Sequence, residues 1–155
     1  MSSERNNQAT EFSAGSHYEF SIPADVEQIV AVEDQALQRI GAVGYDGDEC
    51  FAIGTAFREA LANAIVHGCN SDATKIVDGT VDCSTDGTVC IVVRDPGEGF
   101  DPDKVPDPLH QDNITSDHGR GVYLIRELMD EVQFSDGGRK VQMKKFRRPQ
   151  EKTPA

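Results

Sequence analysis

Hydrophobic and polar positions along the chain predict a short series of helices and strands. His17-Tyr18-Glu19-Phe20-Ser21-Ile22 alternates with a period of two, which predicts a strand that Pro23 stops. From Asp25 to about Ile40, apolar residues recur at Val26, Ile29, Val30, Ala36, Leu37 and Ile40, the spacing of an amphipathic helix. A glycine-containing loop over 41–48 separates it from a longer helix over about 48–67, which Gly68 is suited to end. Residues 75–83 and 88–94 read as two strands joined at Thr85-Asp86-Gly87, a hairpin. Residues 95–118 are rich in Pro, Gly and Asp and carry little periodicity, the mark of a functional or mobile segment in a small domain. A third helix is expected over 119–132, then strands over 132–134 and 140–146 around Asp136-Gly137-Gly138. The polar ends, 1–15 and 149–155, read as disordered, leaving one domain over 16–148. The series predicts an α+β fold: a two-layer sandwich with helices on one face of a mixed, mostly antiparallel sheet.

Charge narrows the range of partners. The 155 residues carry 15 Lys and Arg against 27 Asp and Glu, a formal charge of −12. The imbalance is uneven: residues 139–155 hold seven basic residues and one acid, so the first 138 residues carry −18. A body this acidic is a poor general binder of DNA or RNA and is repelled by an anionic membrane surface. No apolar run is long enough to span a bilayer, and the polar N-terminus lacks the apolar core of a signal peptide, so a cytoplasmic location is expected. Cys50, Cys69, Cys83 and Cys90 form no C-x-x-C pair, which points to reduced thiols rather than zinc ligands. The acidity also poses a problem, since a ligand with several phosphates needs concentrated local help to bind.

Three constellations carry chemistry. On the second helix, Glu59, Asn63 and His67 stand at i, i+4 and i+8 and share one face, beside the small residues Ala56, Ala60 and Ala64. A carboxylate, an amide oxygen and an imidazole in a row suit a hard cation and a proton transfer, and equally a solvated polar stripe. The strand Val92-Val93-Arg94 runs into Asp95-Pro96-Gly97-Glu98-Gly99. There a carboxylate can accept from an exocyclic amine and Gly97 and Gly99 let backbone approach a flat ring, or the segment is an ordinary glycine turn. Gly119-Arg120-Gly121 opens the third helix, whose free N–H groups favour a phosphate, with Arg120 adding a cation; a plain loop-to-helix junction reads the same way. Neither a Walker A loop nor a Rossmann glycine pattern occurs.

In this order, E-x-x-x-N on a helix, D-x-G-x-G after a strand and G-x-G at a helix start resemble the N, G1 and G2 boxes of the ATPase superfamily of gyrase, Hsp90, histidine kinases and MutL. The segments EALANAIVHGCN, VRDPGEGFDPDKVPDP and GRGVYLIRELMDEVQF resemble, more narrowly, the bacterial anti-sigma factor serine/threonine kinases, over roughly 17–148. The resemblance implies the Bergerat-type ATP-binding fold, with ATP and Mg²⁺ as cofactors. It implies Glu59 as general base or orienter of the nucleophile, and Asn63 as the Mg²⁺ ligand. Asp95 would read adenine, with Gly97 and Gly99 shaping the pocket wall. Gly119 and Gly121 would lie beside the phosphates and Arg120 would neutralise their charge, while 101–118 would form the ATP lid. His67 is either a pocket residue or a cap on its helix end. Tyr123 stands where the wider superfamily often has a further glycine.

The resemblance further implies two protein partners, a sigma factor held inactive and a STAS-type antagonist phosphorylated on Ser or Thr, and a homodimer. The strand Tyr18–Ile22 offers an edge for such pairing. Two other readings stay open: a nucleotide-gated binding module with negligible turnover, and a detached histidine kinase-type ATPase domain. No dimerising helical hairpin with a phospho-accepting His accompanies the boxes, which argues against a complete sensor kinase.

Overall fold

The computed structural model describes residues 15–98 and 117–147. Strand β1 (Ser16–Pro23) is followed by a 3₁₀ turn (Val26–Gln28), helix α1 (Ile29–Ala42) and helix α2 (Gly47–Ala62). Strands β2 (Ile76–Cys83) and β3 (Val89–Arg94) form the expected hairpin. Helix α3 (Asp117–Leu128) precedes β4 (Glu131–Ser135) and β5 (Lys140–Lys145).

The five strands lie in the order β1-β2-β3-β5-β4. Every pairing is antiparallel, with Phe20 opposite Gly79, Ile91 opposite Met143, and Val132 opposite Met143 on the far side. The period of two decides which face is covered. Val77, Val81, Val89, Ile91, Val93, Val141 and Met143 are buried in one core with Ile40, Ile53, Phe57, Leu61 and Ile125 of the helices. Each such side chain removed from water contributes on the order of 1.5–3 kcal/mol. Asp78, Asp82, Arg94, Lys140 and Lys144 alternate with them and point to the face opposite the helices. The two-layer α+β reading therefore holds.

Local chemistry explains the boundaries. Asp25 accepts from the Glu27 N–H at 3.0 Å, so the first helical segment begins as a 3₁₀ turn before α1 takes over. Asp46 caps α2 through the Glu49 N–H at 2.8 Å. The α1–α2 contact carries a two-pronged ion pair: Arg58 donates from Nε to Glu33 Oε2 at 3.0 Å and from Nη2 to Oε1 at 2.7 Å. The third helix is shorter than 119–132. It stops at Leu128 because Glu131–Ser135 pairs with β5 and places Val132 and Phe134 against the core, so sheet pairing overrides helical spacing there. The four cysteines are free, with Cys69 and Cys83 buried.

Candidate functional site

The long second helix does not run regularly to its end. After Ala62 the chain widens into a π-helical turn, Asn63–Gly68, in which the Cys69 N–H donates to the Ala64 carbonyl five residues back at 2.9 Å. Such wide turns are rare and concentrate at functional sites. This one brings Asn63, Ala64, His67 and Gly68 to the wall of an open cleft.

The opposite wall is the turn after β3. The Asp95 N–H donates to the Arg139 carbonyl at 2.9 Å, which ties the turn to the start of β5, and Asp95 Oδ1 accepts from the Gly97 N–H at 2.9 Å. The two walls meet backbone to backbone. A Cβ on Gly97 would stand 1.8 Å from the Gly68 carbonyl oxygen, and one on Gly68 would stand 2.5 Å from the Asp95 carboxylate. Both positions need glycine because nothing larger fits. Burial pushes the Asp95 carboxyl above the usual carboxylate range, against the opposing pull of the Gly97 N–H and the Arg139 guanidinium.

Helix α3 closes a third side. A Cβ on Gly121 would lie 2.9 Å from Asn63 Nδ2 and 3.0 Å from its Oδ1, so the first turns of α3 sit directly on that amide. Val93, Ile125 and Val141 give the cleft an apolar floor. Phe134 also lines it, with the Arg126 guanidinium 5.6 Å from the ring centre.

The cleft thus gathers Asn63, His67 and Asp95, with Gly97 and Gly121 at its seams. His67 is exposed. Glu59 stands one turn before Asn63 on α2, half-buried, and does not itself line the cleft. Gly119 falls in the first turn of α3, whereas Gly99 and the Arg120 side chain lie outside the described residues; so does the lid expected over 101–118, except for Asp117 and His118, which open α3. Gly68, Phe134 and Arg139 belong to the cleft although the sequence patterns did not single them out as site residues. Gly68 reads as a helix end and Arg139 as part of a basic tail. The only available signal was the Asp136-Gly137-Gly138 turn, which aims Arg139 inward.

Residues 22–145 match the family model of the histidine kinase-like ATPase domain. The chain belongs to that family. Among its histidine kinase-like relatives, an anti-sigma F factor of Geobacillus kaustophilus is 34% identical over 130 residues, 83% of this chain and 82% of the relative. The serine-protein kinase RsbW of Bacillus velezensis is 30% identical over 137 residues, 84% of this chain and 85% of the relative. The resemblance to the anti-sigma branch of the family therefore holds over most of the chain. The fold also matches the crystal structure of the RsbU and RsbW domains of Rv1364c from Mycobacterium tuberculosis. That match has a TM-score of 0.58 at 19% identity and covers 86% of this chain and 33% of that one.

Proposed function

We propose that this histidine kinase-like ATPase domain is an ATP-dependent serine/threonine protein kinase. It holds a sigma factor inactive and phosphorylates a STAS-type antagonist on Ser or Thr. The observation that carries the reading is the convergence of the three boxes. The Asn63–Gly68 turn, the Asp95–Gly97 turn and Gly121 meet around one cleft with an apolar floor and a half-buried carboxylate. Relatives named anti-sigma F factor and serine-protein kinase RsbW support the choice of partners.

The residues present fit a nucleotide with its metal. Asp95 is a half-buried acceptor held in place by its own Gly97 bond, suited to an exocyclic amine on a flat apolar ring. No three His, Cys, Asp or Glu side chains converge on a metal-sized site among the described residues. The Asn63 amide oxygen in the cleft wall is a hard donor that suits Mg²⁺ otherwise held by phosphates and water. When bound, Mg-ATP supplies a transferable phosphoryl group whose transfer needs chiefly positioning and charge neutralisation. Asn63 positions, Asp95 and Gly97 hold the base, and the Glu59 carboxylate takes the proton from the incoming hydroxyl. The family resemblance would assign Gly99, Gly119 and Arg120 to the phosphate and base walls, and His67 lines the cleft. The protein works in the cytoplasm as a homodimer, with β1 at the sheet edge available for pairing. No helix among the described residues is long and apolar enough to cross a membrane.

The test is phosphotransfer from labelled ATP to candidate antagonists. Wild type is expected to form an alkali-labile phosphoserine or phosphothreonine on the antagonist, and Glu59→Gln to lose transfer while still binding ADP. Glu59 lies off the cleft lining, which favours a nucleotide-gated binding module as the second reading. Nucleotide binding with no transfer to any antagonist would decide for it. An acid-labile phosphoramidate would point instead to a histidine kinase-type domain.

A further inference from the structure

Among the described residues, Arg139 brings to the cleft a cation that the three boxes do not include. It sits just after an unusual turn, in which Asp136, Gly137 and Gly138 all have positive φ, at 53°, 65° and 88°. A left-handed aspartate is a conformation that costs energy and tends to persist where function requires it. The turn delivers Arg139 into the cleft wall, with its side chain 38% exposed.

From there Arg139 grips both ends of the turn opposite. Its carbonyl accepts from the Asp95 N–H at 2.9 Å, and its Nη1 donates to the Gly97 carbonyl at 3.4 Å. Its Nη2 reaches the Asp136 carboxylate at 3.3 Å, so the guanidinium is itself held from behind. One residue thus ties β5, the β4–β5 turn and the Asp95–Gly97 turn together.

We propose that Arg139 is a positioning residue of the nucleotide site, clamping the Asp95-Pro96-Gly97 turn against β5 so that the Asp95 carboxylate presents to the base. This rests on the nucleotide reading above. The guanidinium also opposes the upward pull of burial on Asp95. The groups that bear on Asp95 are Arg139 and Asp136 from the β4–β5 turn, Lys75 ahead of β2, and Cys69 after the π turn, with His67 across the cleft. Arg139 and Lys75 favour the carboxylate and Asp136 disfavours it. Loss of Arg139 therefore leaves Asp95 protonating at a higher pH.

The experiment compares wild type, Arg139→Lys and Arg139→Ala by calorimetric titration with ADP across pH, together with the carboxyl NMR titration of Asp95 in each nucleotide-free protein. Circular dichroism checks that each variant is folded. Arg139→Ala is expected to bind ADP about tenfold more weakly at neutral pH, the loss of one charge-assisted bond. Its acid limb of binding should move to higher pH, in step with the Asp95 titration, and Arg139→Lys should recover the titration more than the affinity. If Arg139→Ala matches wild type in both the ADP profile and the Asp95 titration, the clamp is wrong. If wild type binds no ADP, the proposed function falls, and an unmoved Asp95 titration then separately overturns the role of Arg139.

Discussion

Gly97→Ala tests whether the two walls of the cleft really meet at the backbone. The new Cβ would stand 1.8 Å from the Gly68 carbonyl oxygen, 2.6 Å from its carbonyl carbon and 2.9 Å from Asp95 Oδ1. Real Cβ contacts essentially never fall below 3.0 Å, and the obstacle is backbone rather than a flexible tip, so the turn must retreat by about 1.2 Å. Overpacking of this kind costs about 1–3 kcal/mol. In a chain of this length that lowers Tm by about 2–12 °C. The functional cost should be larger, because the retreat drags Asp95 with it, and a misplacement near 1 Å weakens a positioned site by about a hundredfold. Gly41→Ala is the control: Gly41 lies within α1 with nothing within 4 Å of its Cβ, and alanine there should stabilise by about 0.5–1 kcal/mol. Differential scanning calorimetry gives the stabilities and titration with Mg-ADP gives the affinities. A Gly97→Ala protein that melts and binds like wild type would refute the close approach.

Three further outcomes follow from the same geometry. Asp95→Asn keeps an acceptor for the Gly97 N–H but removes a desolvated charge. Because the folded-state pKa is raised, the folded protein binds that proton more tightly than the unfolded chain. Wild-type stability thus falls as pH rises from the ordinary carboxylate value through the raised one. Asparagine should remove this dependence, leave the nucleotide-free protein as stable as wild type or more so at neutral pH, and abolish the ADP response in thermal melts. Asn63→Ala should remove most of the Mg²⁺-dependent part of nucleotide stabilisation, read as the difference between melts with and without chelator. Arg58→Ala strands the Glu33 carboxylate, whose side chain is only 10% exposed, whereas that of Arg58 is 50% exposed. Discounted for that exposure, the loss should be about 1–2 kcal/mol, below the range for fully buried pairs, as measured by urea unfolding.

Element types were legible because alternation and helical spacing hold over long stretches, as in His17–Ile22 and Val77–Cys83, where every second residue faces the core. The boxes were legible because two join a chemical group to a strand end or a helix start, and the first sets Glu59 and Asn63 one turn apart on a helix. The rest depended on contacts between distant segments. Gly68 is a site residue only because Asp95 and Gly97 arrive against it. Arg139 joins the site because β5 inserts between β3 and β4, which a chain read in order does not announce. The π turn at Asn63–Gly68 leaves no mark in a pattern of residues that suits an α-helix equally well. The −18 body poses less of a difficulty than its total suggests, since the acids Asp78 and Asp82 lie on the sheet face opposite the helices, away from the cleft.

The most direct measurement is the thermal melt of wild type and Asp95→Asn with and without Mg-ADP. A ligand at a hundred times its Kd adds about 2.7 kcal/mol, which in a chain of this size raises Tm by about 5–11 °C. Wild type should show that rise and Asp95→Asn should show none. A wild-type Tm unmoved by Mg-ADP, Mg-ATP or any other nucleotide would contradict the assignment of the cleft.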